Sequence, residues 1–210
     1  MKEEKTFNEL WNEIHKKNTE RELKVDGWLM KWLPYWSKQS KILELGCGLG
    51  NNIEVLQENG FNALATDLSE VALSSIKKRF PLIETKVLDL TQPFPFEDNS
   101  FDIIIADLCL HYFSEKKTFE IMNEIKRVLK PNGKLYARVN STQDTNHGAG
   151  LGKKLGKNFY YVEGYNKRFF DDGEVRKYFS VIGEPNFYSA TMKRYDREKE
   201  LYEIKVCCNK

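Results

Sequence analysis

The sequence predicts an α/β fold in which helices cover both faces of a parallel β-sheet. Apolar runs and helical segments alternate through the middle of the 210 residues, and Gly or Pro residues punctuate them. The runs are apolar on both sides, which is typical of strands in a parallel sheet that is buried on both faces. We therefore expect a single domain spanning residues 1–210.

Five strands and three helices make up this alternation. The strands are predicted at 41–46, 63–67, 84–90, 102–107 and 134–139. The helices between them are predicted at 51–59, which stops at Gly60, from Ser69 to before Pro81, and at 119–130 before Pro131. Residues 41–140 therefore form the predicted core of the sheet.

The last forty residues, 171–210, predict a helix and a terminal hairpin. The run from Asp171 to Glu174 resembles a capping box that opens a helix. Residues 186–193 and 200–208 form two extended runs, and the second alternates apolar and polar side chains. The four residues from Arg194 to Arg197 divide them, so we expect an antiparallel hairpin.

Two further segments flank this core. Thr6 and Glu9 form a potential capping box at the start of residues 1–40, which we expect to be an N-terminal helical lid. Trp28, Trp32 and Trp36 follow at four-residue spacing. Residues 141–170 form a Gly-, Asn- and Tyr-rich insertion that is too long for a plain connection, which predicts a substrate lid.

Composition limits the partners and the location that we expect. Thirty-three basic and thirty-one acidic residues leave a net charge of +2, too small to predict nucleic acid as a partner. The chain has no long apolar segment and no apolar leader, so we expect no membrane contact and a cytoplasmic location. Its four cysteines have no metal-ligand spacing, which predicts no metal.

The strongest motif is the glycine run Gly46-Cys47-Gly48-Leu49-Gly50, which follows a predicted strand and opens a predicted helix. Glycines allow a sharp turn there, and free N–H groups at the helix start can face a ligand. The dinucleotide fingerprint requires a glycine where this chain has Asn51. Asp67, Asp89 and Asp107 end three predicted strands, so we expect them to meet the glycine turn in one crevice, although each could instead cap the following helix.

Four blocks in this order carry a family resemblance: ILELGCGLGN, ATDLS, VLDLTQPFPFEDNSFDIIIADLCLHYF and IKRVLKPNGKLYARV. The sequence resembles the class I S-adenosylmethionine-dependent methyltransferases, and most of all their small-molecule group, which includes the quinone-pathway and tellurite-resistance enzymes. The resemblance implies a Rossmann-like, doubly wound, mainly parallel seven-stranded sheet with an antiparallel last strand. It also implies S-adenosyl-L-methionine as the cofactor.

The resemblance also implies residue roles. The three glycines would approach the methionine and ribose, Asp67 would bind the ribose hydroxyls, and Asp89 would bind the adenine amino group. Asp107 and Leu108 would lie beside the methionine amine and the reacting methyl. The full set of predicted cofactor residues is Glu44, Gly46, Cys47, Gly48, Gly50, Asn51, Asp67, Leu68, Asp89, Leu90, Asp107 and Leu108.

The predicted chemistry is in-line methyl transfer, in which the protein contributes mainly proximity. A base is needed only if the acceptor carries a proton, and His111 is the first candidate, although a neutral histidine packed in the wall explains it equally well. Aromatic and basic side chains interleave through 153–170, which favours a small anionic or aromatic acceptor, whereas packing and solvation are the structural alternative. The candidate acceptor contacts are Trp11, His147, Tyr160, Tyr165 and Arg168.

Two other functions remain open at this point. One is a catalytically silent S-adenosylmethionine-binding regulator, which would need the same pocket. The other is an NAD(P)-dependent oxidoreductase, which the glycine spacing and the missing second nucleotide-binding half disfavour. The sequence leaves open the acceptor atom and the choice between monomer and homodimer.

Overall fold

The chain folds into two compact units, residues 1–94 (unit 1) and residues 95–210 (unit 2). The computed structural model describes residues 6–20, 22–23, 25–194 and 197–210. Within this part of the chain, no helix is long and apolar enough to cross a membrane.

The described residues of unit 1 form three parallel strands, three α-helices and a 3₁₀ turn. Its strands lie in the order β3-β2-β1, with β1 pairing with β2 and β2 with β3. Ser69 caps α3, because its hydroxyl accepts the N–H of Ala72. In chain order the elements are α1 (Phe7–Lys16), a 3₁₀ turn (Leu33–Tyr35), β1 (Ile42–Leu45), α2 (Asn51–Glu58), β2 (Ala63–Asp67), α3 (Glu70–Arg79) and β3 (Thr85–Val87).

The N-terminal segment is helical only in part. Thr6 and Glu9 form the predicted capping box of α1, with both reciprocal hydrogen bonds present. The tryptophan segment is built of turns and the 3₁₀ turn Leu33–Tyr35 instead of an α-helix. Pro34 accounts for this difference, because a proline ring inside an α-helix removes a hydrogen bond and clashes with the preceding turn.

Unit 2 contains a mixed sheet in the order β4-β5-β10-β9. Strands β4 and β5 are parallel, whereas β10 runs antiparallel to both β5 and β9. Its main elements are β4 (Phe101–Asp107), a 3₁₀ turn (Leu110–Tyr112), α4 (Glu115–Val128), β5 (Leu129–Asn140), a 3₁₀ turn (Thr145–His147), α5 (Asp172–Phe179), β9 (Pro185–Arg194) and β10 (Arg197–Cys207).

The predicted lid insertion is a small antiparallel sheet. Its strands are β6 (Lys153–Gly156), β7 (Phe159–Val162) and β8 (Tyr165–Arg168), in that order. Two-residue turns join them, and Asn158 and Gly164 have positive φ values of 50° and 92°. Such turns favour asparagine and glycine because these residues adopt left-handed backbone at the lowest cost.

The C-terminal hairpin is confirmed, and Arg194 pairs with Arg197 at its end. The predicted turn residues Tyr195 and Asp196 lie outside the described residues. Only one of the two hydrogen bonds of the predicted capping box at the start of α5 is present. Asp171 accepts the N–H of Glu174, but the carboxylate of Glu174 accepts hydrogen bonds from Arg168 and Asn158.

The predicted fold class is confirmed. Among the described residues the main sheet has seven strands, and the C-terminal pair β9 and β10 forms an antiparallel hairpin. The helices that separate the strands begin and end close to the predicted positions. The exception is α4, which begins at Glu115 instead of residue 119 because Ser114 caps it.

Candidate active site

The glycine turn of unit 1 links the end of β1 to the start of α2. Gly46, Gly48 and Gly50 all have positive φ, at 62°, 53° and 100°. A Cβ on Gly50 would lie 2.5 Å from Cδ1 of Ile76, so a larger residue there would collide with the core in addition to being strained. The turn therefore depends on glycine for its shape.

Asp67 holds the glycine turn from the end of β2. Gly48 N–H donates to its Oδ2 at 2.9 Å, and Ser69 N–H donates to its Oδ1 at 2.8 Å. A carboxylate has about four lone-pair sites, so each oxygen of Asp67 retains acceptor capacity. Asp67 is therefore both a structural clamp on the turn and an available acceptor.

A buried relay that the sequence analysis missed fixes the predicted cofactor residue Glu44. Asn52 Nδ2 donates to Glu44 Oε1 at 2.9 Å, and Trp28 Nε1 donates to Asn52 Oδ1 at 2.9 Å. All three residues are buried. The relay ties the tryptophan segment to β1 and α2, at the two ends of the glycine turn.

Asp89 lies beyond the end of β3, which stops at Val87, three residues short of the predicted strand end. Its Oδ1 accepts both the N–H and the hydroxyl of Thr91, at 2.8 and 2.7 Å. Leu88 N–H donates to the Asp67 carbonyl at 3.0 Å, which places Asp89 next to the end of β2. Leu90, like Asp89, is partly exposed.

Helix α1 packs on the same part of unit 1. Ser69 Oγ donates to Asn12 Oδ1 at 2.7 Å, and Cε1 of His15 lies 3.5 Å from the position that a Cβ on Gly48 would occupy. The ring of Trp11 stacks on His15 with centroids 5.7 Å apart. Trp11 therefore lies close to the glycine turn, as a lid residue would.

The remaining cofactor candidates occupy different environments within unit 1. Cys47 is buried, and its N–H donates to the Thr66 carbonyl at 2.9 Å. Asn51 is exposed in the first turn of α2, and Leu68 is partly exposed.

In unit 2, Asp107 ends β4 in a bidentate ion pair. Arg138 donates from Nε and Nη2 to its two oxygens at 2.7 and 2.8 Å. Leu108 follows with a φ of 53°, which is unusual for a non-glycine residue, and such backbone strain clusters at functional sites. The predicted crevice, in which Asp107 would meet Asp67, Asp89 and the glycine turn, stays a prediction.

The predicted base His111 is buried in the 3₁₀ turn after β4. Its ring lies 4.2 Å from that of Tyr112, centroid to centroid. Tyr112 in turn makes an edge contact with Tyr165 of the insertion at 5.8 Å. The insertion therefore packs against the segment that carries His111.

His147, a predicted acceptor contact, is buried in the 3₁₀ turn Thr145–His147. It is 6% exposed, and its Nδ1 lies 2.9 Å from Oδ1 of Asp144. Lys199 Nζ donates to the other oxygen of Asp144 at 2.7 Å. Sequence reasoning missed Asp144 and Lys199, since Lys199 lies 55 residues from Asp144 along the chain.

The cations of the insertion divide into buried and exposed ones. Arg168 donates to Glu174 at 3.0 Å, and their side chains are 3% and 4% exposed. Lys167 is also buried and pairs with Glu163. Tyr160, the other predicted acceptor contact here, packs its ring 6.2 Å from that of Phe169. The basic side chains that remain exposed are Lys153, Lys154 and Lys157.

Known methyltransferases match this arrangement in sequence. The family described as a methyltransferase domain matches residues 43–137, from β1 through β5. Residues 43–137 therefore carry the sequence pattern of a methyltransferase domain. An uncharacterized methyltransferase-like protein of Schizosaccharomyces pombe is 36% identical over 107 residues, which cover 50% of this chain and 40% of the yeast protein.

Two further matches extend over more of the chain. The tRNA N(3)-cytidine methyltransferase METTL2 of Danio rerio is 30% identical, over 83% of this chain and 54% of its own length. The Burkholderia thailandensis 1,6-didemethyltoxoflavin-N1-methyltransferase, solved with its acceptor and S-adenosylhomocysteine, is 16% identical with a TM-score of 0.67, over 88% of this chain and 80% of that one. The chain thus spans about half the length or less of these two curated sequence relatives.

Solved structures with a similar fold are named S-adenosylmethionine-dependent methyltransferases, and unit 1 of this chain has features that fit a nucleoside. The glycine turn has three residues without side chains, Gly46, Gly48 and Gly50, so a ligand can approach its backbone. Asp67 and Asp89 offer carboxylate oxygens beside it, of which Oδ2 of Asp89 has no hydrogen-bond partner within the described ranges. The same ranges contain no group of His, Cys, Asp or Glu side chains that could hold a metal ion.

Proposed function

We propose that the chain transfers the methyl group of S-adenosyl-L-methionine to a small-molecule acceptor. The observation that carries this proposal is the clamp between Gly48 N–H and Asp67, which joins a glycine turn to an acceptor suited to ribose hydroxyls. A carboxylate with unused lone pairs can accept from two neighbouring hydroxyls. The relatives named as methyltransferases support the same activity.

Residue roles follow from this geometry. Gly46, Gly48 and Gly50 would let the backbone approach the methionine and ribose. Asp67 would accept from the ribose, and the open Oδ2 of Asp89 would accept from the adenine amino group, with Leu90 against the ring. These contacts need acceptors and bare backbone, which unit 1 provides.

The segment after β4 would face the methionine end. Arg138 already neutralises the Asp107 carboxylate, so we assign the amine contact to the backbone of Asp107 and Leu108. The strained φ of Leu108 turns this backbone sharply. The acceptor would then be held beside the same segment.

The bound cofactor would supply a methyl group that is already electrophilic, with a neutral thioether as the leaving group. The chain's own contribution is therefore alignment and exclusion of water, since proximity alone can supply up to about 7–11 kcal/mol in well-oriented cases. Residues 1–40 and 141–170 would act as the two lids. Helix α1 on the glycine turn and β8 on the segment after β4 are consistent with these roles.

A small neutral or aromatic acceptor suits the insertion better than a strongly anionic one. Lys167 and Arg168 are buried, and each pairs with a glutamate, so their charge is already compensated. Aromatic rings, including those of Tyr160 and Tyr165, supply an apolar wall. The small heterocycle bound by the Burkholderia relative supports the same class of acceptor.

RNA is a second candidate acceptor, although the low net charge argued against nucleic acid. The METTL2 relatives, named for tRNA cytidine, match 83% of this chain, including part of the region outside the cofactor core. Lys153, Lys154 and the exposed ring of Tyr161 lie on the insertion, and such a mixture can bind single-stranded RNA. The cytoplasmic location and the monomeric or homodimeric state stay predictions.

A paired experiment tests the proposal. Calorimetric titration with S-adenosylhomocysteine, with NADH in parallel, tests cofactor choice. Transfer of radiolabelled methyl to quinols, phenols, small carboxylic acids, thiols, selenium and tellurium oxyanions, and bulk tRNA then tests the acceptor. We expect binding of S-adenosylhomocysteine only and methylation of a small molecule; methylation of tRNA alone would overturn the small-molecule proposal, and binding without any transfer would favour the silent regulator.

A further inference from the structure

Unit 2 buries a histidine, a carboxylate and a lysine in the segment that follows β5. The 3₁₀ turn Thr145–His147 brings Nδ1 of His147 to 2.9 Å from Oδ1 of Asp144. Lys199, on β10, donates from Nζ to Oδ2 of the same carboxylate at 2.7 Å. The side chains of His147, Asp144 and Lys199 are 7%, 0% and 6% exposed. The three groups therefore form one fixed, buried arrangement.

The hydrogen bonds determine which nitrogen of His147 carries the hydrogen. An ionised carboxylate only accepts, so Nδ1 of His147 must donate to Asp144, and Nε2 is left with a lone pair. Nε2 is buried and has no hydrogen-bond partner among the described residues. Buried polar atoms normally have partners. An open acceptor in this position therefore points to a proton donor that is not part of the described chain.

The charged groups around His147 are paired with other atoms and leave the lone pair of Nε2 unused. Lys199 balances the charge of Asp144, so the imidazole need not be a cation. Lys167, on β8, directs its ammonium to the His147 carbonyl at 3.2 Å and to Glu163. Arg197, on β10, donates to the Asn146 carbonyl at 2.8 Å. Each of these cations is thus directed to an oxygen.

A chain of ring contacts connects this cluster to the segment after β4. The Lys167 ammonium lies 4.8 Å from the ring centroid of Tyr165. Tyr165 contacts Tyr112, and Tyr112 lies against His111. Through Lys167, Tyr165 and Tyr112, His147 is therefore linked to the segment beside which the acceptor is proposed to bind.

We propose that His147 is the general base that removes a proton from the acceptor, which is therefore a protic O–H or N–H compound. This inference rests on the methyl transfer proposed above. As the acceptor atom forms its bond to the methyl carbon, the carbon–sulfur bond breaks with its electron pair remaining on sulfur, and the acceptor proton passes to Nε2. Asp144 is the positioning residue that stabilises the resulting imidazolium, and Lys199 holds Asp144 in place. The proton then leaves to solvent.

Nuclear magnetic resonance of the full chain labelled with ¹⁵N-histidine tests the first step without any acceptor. The chain has three histidines, and His147→Gln assigns the signal. We expect His147 to show a protonated Nδ1 and an unprotonated Nε2 near neutral pH, and Asp144→Asn to reverse this tautomer because its amide can donate. A wild-type His147 that is protonated at Nε2 instead would overturn the proposal.

Kinetics test the proton transfer to His147. They use each acceptor compound named above that the wild-type chain methylates. We expect His147→Gln to lower kcat by about 10²–10⁴-fold, to remove the acidic limb of the kcat–pH profile and to keep the affinity for S-adenosylhomocysteine within about twofold. Asp144→Asn should lower kcat, and Asp144→Glu should restore part of it. Asp102→Asn, which changes a carboxylate paired with Lys130 in unit 2, is the matched control and should retain the wild-type profile.

The outcomes separate this proposal from the methyltransferase activity itself. Wild-type kcat and an unchanged pH profile in His147→Gln would overturn the base role while leaving methyl transfer intact. The base role of His147 would also be overturned if His111→Ala removed the acidic limb of the kcat–pH profile and His147→Gln kept it. If no compound is methylated, the tautomer of wild-type His147 still decides whether Nε2 can accept a proton.

Discussion

Replacing Glu174 by Gln should destabilise the chain strongly, because it leaves the Arg168 charge buried. The two side chains are 3% and 4% exposed and meet at 3.0 Å. Removing one partner of a buried pair costs about 3–5 kcal/mol. For a chain of this length, each kcal/mol lowers Tm by about 2–4 °C. We therefore expect Tm to fall by roughly 6–20 °C.

Thermal and urea unfolding followed by circular dichroism measure this loss. Glu115→Gln is the matched control, because Glu115 pairs with Lys177 at an exposed position, where the side chains are 59% and 44% exposed. It should cost at most about 1 kcal/mol. The double variant R168M/E174L should recover much of the loss, because apolar side chains of similar volume can replace a buried pair. Equal losses in Glu174→Gln and Glu115→Gln would refute this reasoning.

Three further outcomes are expected. Asp67→Asn should weaken the binding of S-adenosylhomocysteine by roughly 10–100-fold in calorimetry, because hydrogen bonds to a charged acceptor contribute about 1.5–3 kcal/mol; wild-type affinity would contradict the ribose role. Gly50→Ala should lower the urea midpoint more than Gly150→Ala, because both positions have positive φ but only the Gly50 Cβ would collide, with Ile76; equal shifts would contradict this. Burial and the hydrogen bond to Asp172 raise the pKa of Tyr202 to about 12. Because the folded chain holds this proton more tightly than the unfolded chain, the free energy of unfolding should decrease between pH 10 and 12. A Tyr202→Phe variant that shows the same decrease would exclude Tyr202 as its cause.

The sequence predicts those features of the fold that depend on neighbouring residues. The strands, the helices between them and the Thr6 cap follow from local periodicity and from residues three apart. The glycine turn is predicted for the same reason, because its positive φ values restrict the residue type. Asp67 is placed correctly because it ends the strand next to that turn.

Side-chain partners that are distant in the chain were not predictable in the same way. Trp28 meets Asn52 across 24 residues, and Arg138 meets Asp107 across 31. No local pattern specifies such a partner, so the Asp107 carboxylate had no predicted counter-ion. The burial of His147 likewise depends on tertiary contacts, because the segment around it is polar and rich in glycine.

The insertion contained a signal that sequence reasoning did not use. The pairs Lys157-Asn158 and Glu163-Gly164 flank the aromatic run 159–162, and each contains a residue, Asn158 or Gly164, that two-residue turns favour. Such two-residue turns predict hairpins. The structure has one strand pair at each of them, so the three-stranded sheet was open to prediction where only a lid segment was proposed.

Calorimetric titration of the folded wild-type chain with S-adenosylhomocysteine tests the central claim most directly. We predict one-to-one binding that NADH does not reproduce. A folded chain that takes up no S-adenosylhomocysteine would contradict the proposed cofactor site at the glycine turn and Asp67.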